Sequence, residues 1–127
     1  PEATLTTAVL SGLTLTYAGF TSANLSGADL SGGASLTYTN FTGANIAGAN
    51  LSSSSVANSN FEGADLTGAS LANTSLQQTN LVGANFTNVT GTASSVVGAA
   101  LDATTRCRSG QLYDSGTMTV SLCINGV

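Results

Sequence analysis

Apolar residues return along this chain with a step of five. They stand at Leu5, Leu10, Leu15, Phe20, Leu25 and Leu30, then, after a one-residue slip, at Leu36, Phe41, Ile46, Leu51, Val56, Phe61, Leu66, Leu71, Leu76, Leu81 and Phe86. A small residue, usually alanine, precedes each by two positions, as at Ala3, Ala8, Ala18, Ala23, Ala28 and Ala44. Asn, Asp, Ser or Thr fills the gap, and glycine often follows two positions later, as at Gly12, Gly27, Gly43 and Gly63. A step of five turns an α-helix by about 140° and would scatter the apolar column around its circumference. On a continuous strand an odd step sends successive leucines to opposite faces. The pattern instead predicts very short extended segments joined by corners. The small and the large residue of each unit then both face inward, and Gly or Ser supplies the corner.

Stacked positions should carry like residues, and this fixes how many units close one coil. Phe20, Phe41 and Phe61, continued by Leu81, form one column; Asn40, Asn60 and Asn80 form another, and Ser35, Ser55, Ser75 and Ser95 a third. Tyr17 and Tyr38 pair at the same offset. Each coil therefore takes four units. Gly32-Gly33 lengthens one unit and shifts every column that crosses it by one residue, which reads as a bulge.

The unit Ala-Asn/Asp-Leu-x-Gly resembles that of the pentapeptide-repeat proteins. The resemblance covers about residues 3 to 103 and some 17 consecutive units. It implies an all-β chain folded as a right-handed parallel β-helix, a quadrilateral solenoid. Twenty units give about five coils, and at strand spacing a rod about 24 Å long. Leu13 and Val89 replace the expected alanine and Gly91 the central apolar residue, so the last coil should be looser. In such a solenoid each coil contacts only its neighbours.

Residues 104 to 127 abandon the period, which divides the chain into a repeat region, 1 to 103, and a cap. Met118 to Ile124 alternates as a strand, Asp114-Ser115-Gly116 signals a turn, and Leu112-Tyr113 opens a preceding strand, so the cap is expected to be a β-hairpin. The only cysteines, Cys107 and Cys123, lie in it. Two Cys without His cannot form a four-ligand zinc site. They read as a disulfide in an oxidising compartment, the other reading being two buried thiols. A disulfide would contribute about 3 kcal/mol by loop closure. A Cys-containing tail after the repeats is similar to those of exported family members.

At the other end the repeats begin at once, and only Pro1-Glu2 precedes Ala3. That leaves Ala3, Leu5, Leu10 and Leu15 on an uncovered coil, a sheet edge that Pro and one charge defend thinly. Either an upstream segment or another copy is expected to cover it. A chain starting at Pro1 reads as processed, with a signal peptide removed.

Composition narrows the chemistry. The 127 residues carry two Arg, no Lys, no His and six acids, a charged fraction of 6%. Phosphate binding has almost no basic residues to use, so no nucleic-acid partner is expected. No apolar run approaches the 18 or more residues of a membrane span. Asp29 and Asp65 occupy the polar slot of their units and read as corner hydrogen-bonders, while Glu62, Asp102 and Asp114 are scattered. Without a general base the many hydroxyls are not nucleophiles, so no catalytic, cofactor or metal residue is assigned. Asn-x-Ser/Thr at Asn24, Asn40, Asn50, Asn73, Asn85 and Asn88 follows from the repeat itself. Arg106 and Arg108 read as solvated cap charges or as contacts for an acidic partner.

These features favour a non-enzymatic scaffold outside the cytoplasm that associates with itself into dimers or filaments. The alternatives are a protein-binding module, including the DNA-mimicking topoisomerase inhibitors of the family, and a surface that binds ice or glycan. Mimicry of DNA needs a strongly acidic rod, and a net charge of −4 is far too sparse. The threonines at Thr6, Thr16, Thr21, Thr37, Thr42, Thr67, Thr87 and Thr92 spread over all four expected sides rather than forming one flat face.

Overall fold

The structure, a computed structural model, describes residues 3–116 and 118–127. Most units turn their corner in the same way. The carbonyl of the central residue accepts the N–H three residues on, as in Leu5 from Ala8 at 3.1 Å and Phe41 from Ala44 at 2.9 Å. The residue two after the central one takes a left-handed backbone, which glycine adopts at no steric cost. Glycine does not hold every such corner: Thr7, Tyr17 and Tyr38 sit there at φ 56°, 64° and 57°.

Between corners one residue per unit pairs in parallel with its counterpart one coil on. Thr4 bridges Asn24, Val9 bridges Asp29, Thr14 bridges Ser35 and Gly19 bridges Asn40, and these four columns continue along the chain. They form the sides of an all-β solenoid. The step of 21 in the third and fourth bridges arises at Gly32 and Gly33, two successive left-handed residues at φ 66° and 82°. Both keep ladder bonds, to the carbonyls of Ser52 at 3.2 Å and Ser53 at 3.1 Å, so the bulge costs no pairing.

The interior holds the central residues with the small residues between them. Phe41, Phe61 and Leu81 are fully buried, and Phe20 packs on them while still partly exposed. The rings stack at 5.2 Å (Phe20 to Phe41) and 4.5 Å (Phe41 to Phe61) between centroids. Thr39, Ser54, Ser59, Thr74, Thr79 and Thr105 replace the small alanine and are buried. Their hydroxyls donate to core carbonyls, as Thr74 does to Leu51 at 2.7 Å and Ser59 to Leu36 at 2.6 Å. Such a hydroxyl is tolerated in a core because it never lacks a partner.

The cap departs from the expected hairpin. Met118 to Ile124 is not a strand; Val120–Asn125 is an α-helix, α1. The Thr119 hydroxyl caps it by accepting the Leu122 N–H at 3.0 Å, and Gly126 ends it at φ 77°. Val120, Cys123 and Ile124 have helical i, i+3, i+4 spacing and face the core, whereas a strand would send the adjacent pair to opposite sides. Leu112 does pair antiparallel, but with Arg106. The ladder also runs past residue 103. Arg106 bridges Asn85, and Cys107 takes the central position of one more unit, with Thr105 buried two residues before it. A six-residue step from Leu101 to Cys107 hides this unit from the period, as Gly32-Gly33 hides the earlier slip.

Candidate functional site

The two ends of the rod differ, and the difference follows from where each unit points its backbone. Within the rod, a bridging residue directs both its N–H and its C=O toward the preceding coil. Asn24, for example, donates to Ala3 at 2.8 Å and accepts from Leu5 at 2.7 Å. In the first coil the bridging residues are Thr4, Val9, Thr14 and Gly19, and no preceding coil is there to meet them among the described residues. Their N–H and C=O groups have no hydrogen-bond partner among those residues, and the carbonyls of Thr6, Ser11, Thr16 and Thr21 are equally open. Inside this rim Leu5, Leu10, Leu15 and Phe20 are only partly buried, and Leu13 is 46% exposed where other units place alanine. Ala3 lies exposed on the rim, with its carbonyl bonded to Asn24. Pro1 and Glu2 lie outside the described residues.

The opposite end is partly closed. The unit around Arg106 covers one side, with its carbonyl accepting from Phe86 at 2.8 Å and that of Arg108 from Asn88 at 3.0 Å. Over the next side lies α1: the Asn125 side chain accepts the Ala93 N–H at 2.9 Å, and Ile124 joins the core. Arg108 clamps the two, donating to the carbonyls of Gly91 at 2.8 Å and Asn125 at 3.1 Å. It is therefore a structural residue rather than a free cation. Arg106 donates to the Gly110 carbonyl at 2.7 Å. Cys107 and Cys123 are both buried and joined by a disulfide, with Cα atoms 4.6 Å apart. The irregular coil beneath also has a cause: a Cβ on Gly91, which has φ +74°, would lie 2.6 Å from the Ala72 nitrogen. The chain there passes over backbone, and Ser94 instead of Ser95 donates to Thr74.

Along the described sides of the rod the carboxylates accept hydrogen bonds from their own corners. Asp29 and Asp65 accept from the backbone and hydroxyl of the residues two on, Ser31 and Thr67, each hydroxyl at 2.5 Å. Asp102 does the same with Thr104. The hydroxyls of Ser31 and Thr104, with the adjoining backbone N–H groups, hold the carboxyls of Asp29 and Asp102 below the usual range. They brace corners. A cleft of about 350 Å³ beside Asp102 and Tyr113 contains no histidine or cysteine. Among the described residues there is no group of three or more His, Cys, Asp or Glu placed to hold a metal ion. No helix there is long and apolar enough to cross a membrane. On the outside Tyr17 stacks on Tyr38, the rings 5.1 Å apart and the residues 74% and 53% exposed.

Comparison with known proteins returns one family model, pentapeptide repeats, matching residues 2–32, 33–63, 45–81 and 69–105. A search of curated proteins gives no significant match. Among solved structures the chain is similar to a pentapeptide repeat protein of the Arabidopsis thaliana thylakoid lumen, at 33% identity over 68% of this chain and 66% of that one, TM-score 0.46. It is also similar to HetL, a pentapeptide repeat protein involved in heterocyst differentiation regulation in the cyanobacterium Nostoc, at 23% identity over 89% and 65%, TM-score 0.33. A third is QnrB1, a plasmid-mediated fluoroquinolone resistance protein, at 17% identity over 80% and 66%, TM-score 0.37. The chain thus spans just under two thirds of the length of each of these proteins.

Proposed function

Because the chain belongs to the pentapeptide-repeat family, we propose that it is a non-enzymatic scaffold of an oxidising, extracytoplasmic compartment that associates with itself through its first coil. The open rim of Thr4, Val9, Thr14 and Gly19 around half-buried Leu5, Leu10, Leu15 and Phe20 carries this reading. An edge of unpaired backbone groups beside exposed apolar side chains recruits another edge unless something covers it. Few charges oppose contact between copies, since only 6% of residues are charged. The Cys107–Cys123 disulfide supports the compartment, because cytosolic thiol buffers keep such pairs reduced.

A general protein-binding module is the second reading, and the exposed Tyr17–Tyr38 stack favours it, since tyrosine is enriched at interfaces. Electron microscopy and light scattering of the oxidised chain over a concentration series test the first reading. Leu5→Lys is expected to abolish association while leaving the β-rich circular dichroism in place. If that variant associates as the parent does, the first coil is not the interface.

A further inference from the structure

Asn125 fastens the cap with both its side chain and its backbone. Its Oδ1 accepts the Ala93 N–H at 2.9 Å, its carbonyl accepts from Arg108 at 3.1 Å, and its Nδ2 donates to the Ser121 hydroxyl at 3.4 Å. Gly126, the next residue, ends α1 in a left-handed backbone at φ 77° and donates its N–H to the Leu122 carbonyl at 3.0 Å. Asparagine followed by glycine is also the pairing most prone to lose its amide in water. Glycine has no side chain to hinder attack of its nitrogen on the neighbouring side-chain amide, and its backbone turns freely into the geometry of attack. Of all the asparagines in the chain only Asn125 precedes glycine; the others precede Leu, Phe, Ile, Ser, Thr or Val.

We propose that Asn125-Gly126 is a self-modification site that the closed cap holds unreactive, so that its deamidation follows opening of the cap. The chemistry is the same whether or not the chain associates with itself. The Gly126 nitrogen loses its proton and bonds to Cγ of Asn125. The Cγ–Nδ2 bond breaks, and Nδ2 leaves with that proton as ammonia. Water then opens the five-membered imide at either carbonyl, giving aspartate or isoaspartate, with nothing oxidised or reduced. The closed cap opposes the first step. The Gly126 N–H is engaged with Leu122, and ring closure turns Asn125 out of its helical backbone, which breaks its bonds to Ala93 and Arg108 together. Ile124, fully buried, and the Cys107–Cys123 disulfide keep α1 from turning by itself. A helix of six residues is marginal without such contacts, so their loss frees Asn125 and Gly126 at once.

Incubation of the oxidised full chain at mildly alkaline pH, with samples reduced and digested by trypsin over time, tests this. The peptide that begins at Ser109 carries the site; mass spectrometry reads the change from amide to acid, and chromatography separates isoaspartate from aspartate. Asn125 should convert about tenfold or more slowly in the native chain than in the same chain unfolded in urea, since the reaction there requires local opening. Cys123→Ala and Ile124→Ala should each recover much of the unfolded rate while circular dichroism shows the repeats folded. Gly126→Ala, compared in urea, should slow the conversion sharply. Equal rates in the native and the unfolded chain overturn the protection. Rates unchanged in both cap variants overturn the cap as its source, and an Asn125 that keeps its amide even in urea overturns the site.

Discussion

Truncating Phe41 to alanine tests whether the core is a column in which position along the rod sets the cost. The ring is fully buried, with Phe20 on one side at 5.2 Å and Phe61 on the other at 4.5 Å. Coils are fixed by ladders on four sides, so neighbours cannot collapse into the space, and Phe41→Ala should cost about 3–5 kcal/mol. Phe20→Ala removes the same atoms from a ring that is only partly buried and has a neighbour ring on one side alone. Its cost in dilute monomer should be about half as large, because the area removed from water and the cavity left are both smaller. Urea unfolding followed by circular dichroism, with the disulfide intact, gives both values. Near-equal costs, or a Phe41→Ala cost below about 2 kcal/mol, would refute the picture of a rigid column in which Phe41 is enclosed and Phe20 is not.

Three further outcomes follow from local geometry. Gly91→Ala meets Ala72 backbone at 2.6 Å and should be far more damaging than Gly48→Ala, where nothing lies within 4 Å and only the left-handed backbone, about 1 kcal/mol, is at stake; thermal unfolding compares them. Cys123→Ala should cost about 3 kcal/mol, and because Arg106 and Arg108 are the only trypsin sites, cleavage there should accelerate before the repeats unfold. Asp29 and Asp102 have folded-state pKa values below the ordinary 3.8, so what they contribute is present above the carboxylate range and lost as pH falls through their lowered values. Melting temperature should therefore be flat from pH 7 to about 5 and decline only below about 4, and Asp102→Asn should flatten that decline.

Much of the fold was legible because a solenoid repeats its local rule. The step of five excludes helix and flat strand, and the like residues at Phe20, Phe41 and Phe61 set the coil at four units. Asp29 and Asp65 were readable as corner braces from their place in the unit.

The cap shows where that reasoning stops. Met118, Val120, Leu122 and Ile124 alternate as a strand would, while Val120, Cys123 and Ile124 are spaced as on a helix, and the sequence supports both. Tertiary structure chose the helix because Cys123 must reach Cys107 and Ile124 must cover the core at once, which adjacent residues manage only when they share a face. Arg108 became a clamp for a similar reason: its place in the last unit put it beside carbonyls of Gly91 and Asn125 that the ladder leaves free. The sequence by itself determined the coil and its corners, both set by contacts a fixed number of residues apart. Closure of the coil after Leu81 depended on contacts between segments with no common period, and only the folded chain could decide those.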